Sequence, residues 1–218
     1  MRHLAQPRVL LLASAASLVT TLACHLRLAH WLTRSDPIWL LEGIIFFCGI
    51  VLWGFVFAWH TPYTERPVFA LKIKPRLFLT VTLAGIVVAT LFHLLLDPTL
   101  RSKMPEDYPA DVKQWLALAL FSLAFNQLFF VFAPFAWLIR LFRNVRVAII
   151  LTVLFGAVVL AVKIHSTLAS LSPLLFAAFL AGRIVMGFLA VTFYWRGGVL
   201  LSWWWTLLIE ARHLPDLA

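Results

Sequence analysis

Asn126 and Gln127 stand side by side about eleven residues into an apolar stretch that runs from Trp115 to Ile139, Arg183 interrupts a second such stretch, and Glu210 closes a third. These are the residue types with chemistry to offer. An amide donates and accepts hydrogen bonds but takes up no proton at neutral pH. A carboxylate can act as a general base. A guanidinium in an apolar segment must face the protein interior or a wet cavity and find acceptors there. At ~1.5 Å per residue Asn126 and Gln127 lie near mid-bilayer, where an unpaired amide costs several kcal/mol. Two roles fit them: an interhelical hydrogen-bonded pair that holds a bundle together, or a contact surface for a substrate or partner. Arg183, flanked by Gly182 and Gly187, likewise reads either as half of a structural pair, with Glu210 or the Asn126 and Gln127 carbonyls as acceptors, or as an anion site. Glu42 and His93 read as interfacial or paired groups. A metal would need His93, His165 or Glu210 to converge from separate helices, and no local His-x-x-x-His spacing supports it, so neither metal nor cofactor is expected.

The elements that position these residues follow from composition. With 63% hydrophobic and 12% charged residues, the 218-residue chain has too little polar surface to cover a water-soluble globule. Segments near the ~20 apolar residues that cross a bilayer fall at Val9–Trp31, Ile38–Trp59, Leu77–Leu96, Trp115–Ile139, Val147–Lys163 and Leu174–Trp195, with a short seventh at Val199–Ile209. The runs are unbroken where barrel strands would alternate, so the expected fold is an all-α, polytopic bundle of about seven transmembrane helices. The first apolar run exceeds the 7–15 residues of a signal-peptide core and reads as a retained helix. Ser35-Asp36-Pro37 reads as the start of the second span. PVFALKIKPR before the third span reads as a headgroup-level segment in contact with lipid. Residues 97–113, with three prolines and three acids after Asp97, read as an exposed loop ending in an Asp111 cap. That loop divides one integrated domain into a three-helix scaffold, residues 1–114, with little intramembrane polarity, and a core, residues 115–218. Trp31, Trp39, Trp59, Trp115, Trp137 and Trp195 at span ends read as the aromatic belt.

The formal charge of +9 is spread among short loops and not gathered in one stripe, which argues for membrane topology and against nucleic acid. Arg2, Arg8, Arg66, Lys72, Lys74, Arg76, Arg140, Arg143, Arg146 and Arg196 fall on one side of the seven spans. Arg27, Arg34, Arg101, Lys103, Lys113, Lys163 and Arg212 fall on the other, with most of the acids. Positive-inside bias puts the N-terminus in the cytoplasm and the C-terminus outside. Cys24 and Cys48 lie in apolar helices as small hydrophobes.

The order of the core, FNQLFFVFAPFAWLIRLFRN, then LFGAVVL, then FLAGRIVMGFLAVTFYWRGGVLLSWWWTLLIEARHL, resembles the CAAX-protease and bacteriocin-processing (CPBP) family of intramembrane glutamic proteases over about a hundred residues. The resemblance implies that the family's Glu-Glu-x-x-x-Arg motif falls on Asn126, Gln127 and Val131. Its Phe-x-x-x-His motif falls on Phe155 and Val159, and its His-x-x-x-Asn/Asp motif on Thr206 and Glu210, after a Gly197-Gly198 turn. A glutamic protease needs a carboxylate to activate water and a donor for the developing oxyanion. Asn126 and Gln127 keep the shape of the acids without the base, and Val159 and Thr206 replace both histidines. The resemblance therefore implies a proteolytically inactive relative in a bacterial inner membrane, binding another membrane protein or a hydrophobic or lipidated peptide, a reading that includes a structural subunit of a larger membrane complex. Two other readings stand beside it. An active endopeptidase would rely on Glu210, with Asn126, Gln127 and Arg183 as polarising donors; a small transporter would need a polar stripe along several helices, where the sequence has isolated polar residues.

Overall fold

Inside hydrocarbon every backbone N–H and C=O must be bonded within the chain, so apolar runs of this length resolve into helices. The computed structural model describes residues 4, 6–29, 37–105, 108–164 and 173–217. They form α1 (Pro7–Ala29), α2 (Ile38–Thr64), α3 (Pro75–Leu95), a short α4 (Asp97–Lys103), α5 (Val112–Phe121), two π-helical turns (Ser122–Asn126 and Leu128–Phe132), α6 (Ala133–Phe142), α7 (Val145–Ile164), α8 (Pro173–Glu210) and a 3₁₀ segment (Ala211–Leu217). α5, the π turns and α6 run on as one crossing, Val112–Phe142, so among the described residues six helical stretches are long and apolar enough to span a bilayer. The protein is an all-α integral membrane protein. Its outward leucines, such as Leu11, Leu22 and Leu83, stay exposed because they face lipid.

Local signals end the helices where the chain turns. Glu65 leaves α2 in the left-handed region (φ 57°) and returns its N–H to the Thr61 carbonyl. Arg143 ends α6 the same way (φ 50°), and the next residue, Asn144, caps α7 by accepting from the N–H groups of Arg146 and Val147. Pro75 occupies the first position of α3.

The expected sixth and seventh spans are the two limbs of α8, and Gly198 separates them. Its φ of 68° and ψ of −166° lie outside the helical range. In a straight helix Phe193 and Trp205 would stand about 18 Å apart along the axis, yet their ring centroids are 5.2 Å apart, so the chain doubles back. Residues 173–197 run from the end of the bundle near Asp97 to the end near Arg66, where Arg66 donates to the Trp195 and Arg196 carbonyls. Residues 199–210 return toward Asp97, which Arg212 meets at 3.2 Å. The turn is clamped from outside: Val199 N–H donates to Val68 C=O, and a Cβ on Gly198 would come within 2.4 Å of that oxygen. The limb 199–210 is too short to cross hydrocarbon alone and packs inside the bundle. Val199, Leu201, Ser202, Trp205, Thr206 and Ile209 are all buried.

Several expectations change. The segment 97–113 is not simply an exposed loop. Asp97 is 2% exposed, starts α4, accepts from Tyr108 Oη (2.8 Å) and pairs with Arg212. Its final cap is as expected, since Asp111 accepts from Gln114 N–H at 2.7 Å. The segment PVFALKIKPR does more than touch lipid: Val68 is buried and holds the Gly198 turn, while Leu71, Lys72 and Lys74 stay exposed. The scaffold is more polar inside than its sequence suggests. Ser17 donates to the Phe46 carbonyl, Trp53 donates to Thr20, and Gly49 lets α1 and α2 approach so closely that a methyl group would strike Ser17 Oγ. In the aromatic belt Trp39 and Trp137 are exposed, whereas Trp59 is 3% exposed beneath the Arg140 guanidinium. Arg2, Trp31, Arg34, Ser35, Asp36 and His165 lie outside the described residues, as does the side chain of Lys163.

Candidate functional site

The two π turns flank Gln127 and widen the helical spiral at the depth of the polar pair. Each adds a residue to its turn and so rotates the remainder of the crossing around its axis. Asn126, Gln127, Phe130 and Val131 thereby share a face that borders a cavity of about 230 Å³. α7 contributes Thr152, Val153, Gly156, Ala157 and Leu160, which is one stripe of that helix. The limb 173–197 contributes Arg183, Met186 and Gly187. Trp205, Thr206, Ile209 and Glu210 come from the returning limb. The fold thus gathers Asn126, Gln127, Val131, Arg183, Thr206 and Glu210 around one space. It leaves out Phe155 and Val159: Phe155 is 38% exposed and packs on Phe129 and Phe130, and Val159, four residues on, is also off the lining stripe.

The amides do not pair with each other. Asn126 Nδ2 donates to Ser122 Oγ within its own π turn at 3.4 Å, and Gln127 Oε1 accepts from Ser202 Oγ on the returning limb at 2.8 Å. The second bond ties the middle of the Val112–Phe142 crossing to the hairpin. Thr206 Oγ1 is turned back to the Ser202 carbonyl and Thr152 Oγ1 to the Ala148 carbonyl, so neither hydroxyl is set against a base. The Arg183 guanidinium lies 5.1 Å from the centre of the Phe179 ring. Among the described residues no ion pair within 4.0 Å joins Arg183 to Glu210, although both border the cavity. Glu210 is fixed by its backbone, whose carbonyl accepts from Trp115 Nε1 at 2.9 Å.

No protein-family model, curated protein or solved structure matches this chain. The cavity must therefore be read from its own chemistry. Its described lining holds one carboxylate, one guanidinium, two amides and three hydroxyls, and no histidine or cysteine. Such a set can hydrogen-bond and orient a group, with Glu210 the lone candidate base. At about 230 Å³ the space takes one side chain or a handful of waters and falls short of a drug-sized ligand. Among the described residues no group of three potential metal ligands converges. Glu42 and His93 have local partners: His25 Nδ1 at 2.6 Å from Glu42, and Asp216 at 3.7 Å from His93.

Sequence reasoning missed two polar groupings. His60 is fully buried beside Tyr194, with ring centroids 4.7 Å apart, and neither its nitrogens nor the Tyr194 hydroxyl has a hydrogen-bond partner among the described residues. The signal lay in helix length, since α2 runs five residues past Trp59 and so carries His60 into the bundle. The second is the cluster of Asp97, Tyr108 and Arg212, whose members are far apart in sequence. Burial, then the hydrogen bond and charge of Asp97, push the Tyr108 phenol above its ordinary range, against the opposing pull of Arg212 and Arg183.

Proposed function

We propose that this protein is a proteolytically degenerate relative of the CAAX-protease and bacteriocin-processing family that binds a membrane-protein or hydrophobic-peptide partner through the cavity at Asn126 and Gln127. The observation that carries the reading is the lining itself. Asn126 and Gln127, which the resemblance aligns with the family's two acids, share a space with Arg183, Thr206 and Glu210. Polar groups inside a membrane bundle are expensive, and a cluster of them that borders a space as well as bonding its neighbours is a candidate contact site. The size of the cavity fits one side chain presented by a partner segment.

That Glu210 borders the same cavity as Asn126, Gln127 and Arg183 favours a second reading, an endopeptidase with a single carboxylate. One comparison separates the two. Tagged protein and an Asn126→Leu/Gln127→Leu variant of equal membrane level are purified in mild detergent and their partners identified by mass spectrometry. A partner kept by the wild type and lost by the variant is the expected result. Retention of the same partner by both sinks the cavity as its binding site, and cleavage of a membrane peptide that Glu210→Gln abolishes would establish the enzyme instead.

We place the protein in a bacterial inner membrane with its N-terminus in the cytoplasm, in line with the bias of loop arginine and lysine residues. The doubling back at Gly198 puts the end of the returning limb on the opposite side from α1's start, so a C-terminal alkaline phosphatase fusion is expected to be active and a green fluorescent protein fusion dark.

A further inference from the structure

On the opposite face of the returning limb lies a second cavity, of about 520 Å³, between α1, the α5 end of its crossing and the hairpin. Thr20, Trp53, Phe69, Leu123, Trp203 and Trp204 are among its walls. Most polar atoms of the wall are already engaged: Trp53 Nε1 bonds Thr20 Oγ1, which itself donates to the Ala16 carbonyl, and Trp204 Nε1 bonds Thr82 Oγ1. The Trp203 indole N–H is the exception, buried and without a hydrogen-bond partner among the described residues; the rest of what the walls offer a ligand is carbon. Their long direction follows the helices, since the stretches Ala16 to Ala23 and Leu200 to Leu207 each cover about 10 Å along an axis. This is the direction in which an acyl chain lies in a bilayer. A transmembrane helix is ~10 Å across with its side chains and would need more room than this groove has.

Charge distinguishes one end of the groove. Phe69 stands at the Arg66 end, and Lys72, Lys74 and Arg76 follow within seven residues, all exposed and in no ion pair among the described residues. Lys74 stands at the N-terminal boundary of α3, one turn before Phe78, whose ring stacks on Trp204 at 5.4 Å. The cationic stretch is therefore joined to the groove wall through a packed aromatic pair, at the helix ends where headgroups lie. A ligand that satisfies both features has a hydrocarbon tail linked to an anionic head. We propose that the groove holds one acyl chain of an anionic glycerophospholipid whose phosphate pairs with Lys72 and Lys74. Juxtamembrane cations are known to select such lipids.

Native mass spectrometry of the full chain in mild detergent, titrated with palmitoyl-oleoyl phosphatidylglycerol and with phosphatidylcholine of the same chains, tests this directly. Wild type is expected to hold one phosphatidylglycerol and to prefer it to phosphatidylcholine by about tenfold. Lys72→Gln/Lys74→Gln, at exposed positions whose side chains make no hydrogen bond or ion pair among the described residues, is expected to remove the preference. Val19→Trp, at a lining position that is 62% exposed, is expected to weaken both lipids. Equal affinity for the two lipids in wild type overturns the proposal. So does an undiminished preference in the lysine variant, undiminished binding in Val19→Trp, competition by free oleate as effective as that by phosphatidylglycerol, or a co-purified protein that blocks lipid binding.

Discussion

The two cavities share their partition and differ in almost everything else. On the returning limb Trp205, Thr206, Ile209 and Glu210 face one space, while Leu200, Trp203, Trp204 and Leu207 face the other. The first π turn divides in the same way, with Ser122 and Asn126 on one side and Leu123 and Ala124 on the other. The smaller cavity holds charged and amide groups that can fix a ligand's orientation, whereas the larger has an apolar wall that can exclude water but cannot orient a polar group. A helix 12 residues long can serve both because its sides carry different residues, and the helical period decides which residue goes where. The difference between the cavities is thus a property of one short limb, and the limb depends on its turn.

The strongest way to break both cavities at once is therefore Gly198→Ala. The residue would be forced into φ 68° with its Cβ against the Val68 carbonyl, and we expect a loss on the order of 4 kcal/mol, seen as reduced membrane level and a lowered Tm. A variant as stable as wild type would mean that the hairpin is not held as described.

Asp97→Ala should act on the polar side alone. It leaves the Arg212 guanidinium, which is 11% exposed, without its carboxylate just beyond Glu210. Breaking such a pair costs about 3–5 kcal/mol, and a loss below ~1 kcal/mol in a detergent unfolding titration would place it with exposed pairs. Phosphatidylglycerol binding at the groove should not change.

A smaller effect tests the seam between the cavities. Gln127→Leu and Ser202→Ala, alone and together, should show a coupling of about 0.6–2 kcal/mol for the 2.8 Å bond; strict additivity would show that the bond contributes nothing. The smallest expected change is a pH dependence. Because the Tyr108 pKa is raised in the fold, its stabilising contribution is fully present below the ordinary phenol value of ~10 and declines as pH rises through and above it. Tyr108→Phe should flatten this alkaline slope, and an unaltered slope would assign it to other groups.

Much of the fold was legible because its signals are local. The start of the second span at Pro37, the Asp111 cap and the break at Gly197-Gly198 that the resemblance implies all fall within a few residues of where the sequence reading puts them. The gathering of Asn126, Arg183, Thr206 and Glu210 was partly legible, since polar residues in hydrocarbon have few places to go but an inward one. The pairing of Arg183 with Glu210 was an available guess, and among the described residues the two border a common space without meeting within ion-pair distance. The placement of Phe155 on the outside depends on how α7 is rotated about its axis, which the nearly uniform apolar sequence of that helix does not encode.

What the sequence determined by itself is the class of molecule: long apolar runs oblige the backbone to bond internally, and this makes a helical membrane bundle with its polar residues turned inward. What only the tertiary structure decided is which residues meet. Gln127 finds Ser202 75 positions away, Asp97 finds Arg212 115 positions away, and Val68 closes a turn at Gly198. Contacts at such separations depend on how whole helices pack and rotate, and packing in a uniformly apolar chain is settled by shape and by a few hydrogen bonds, neither of which has a signature in a short window of sequence.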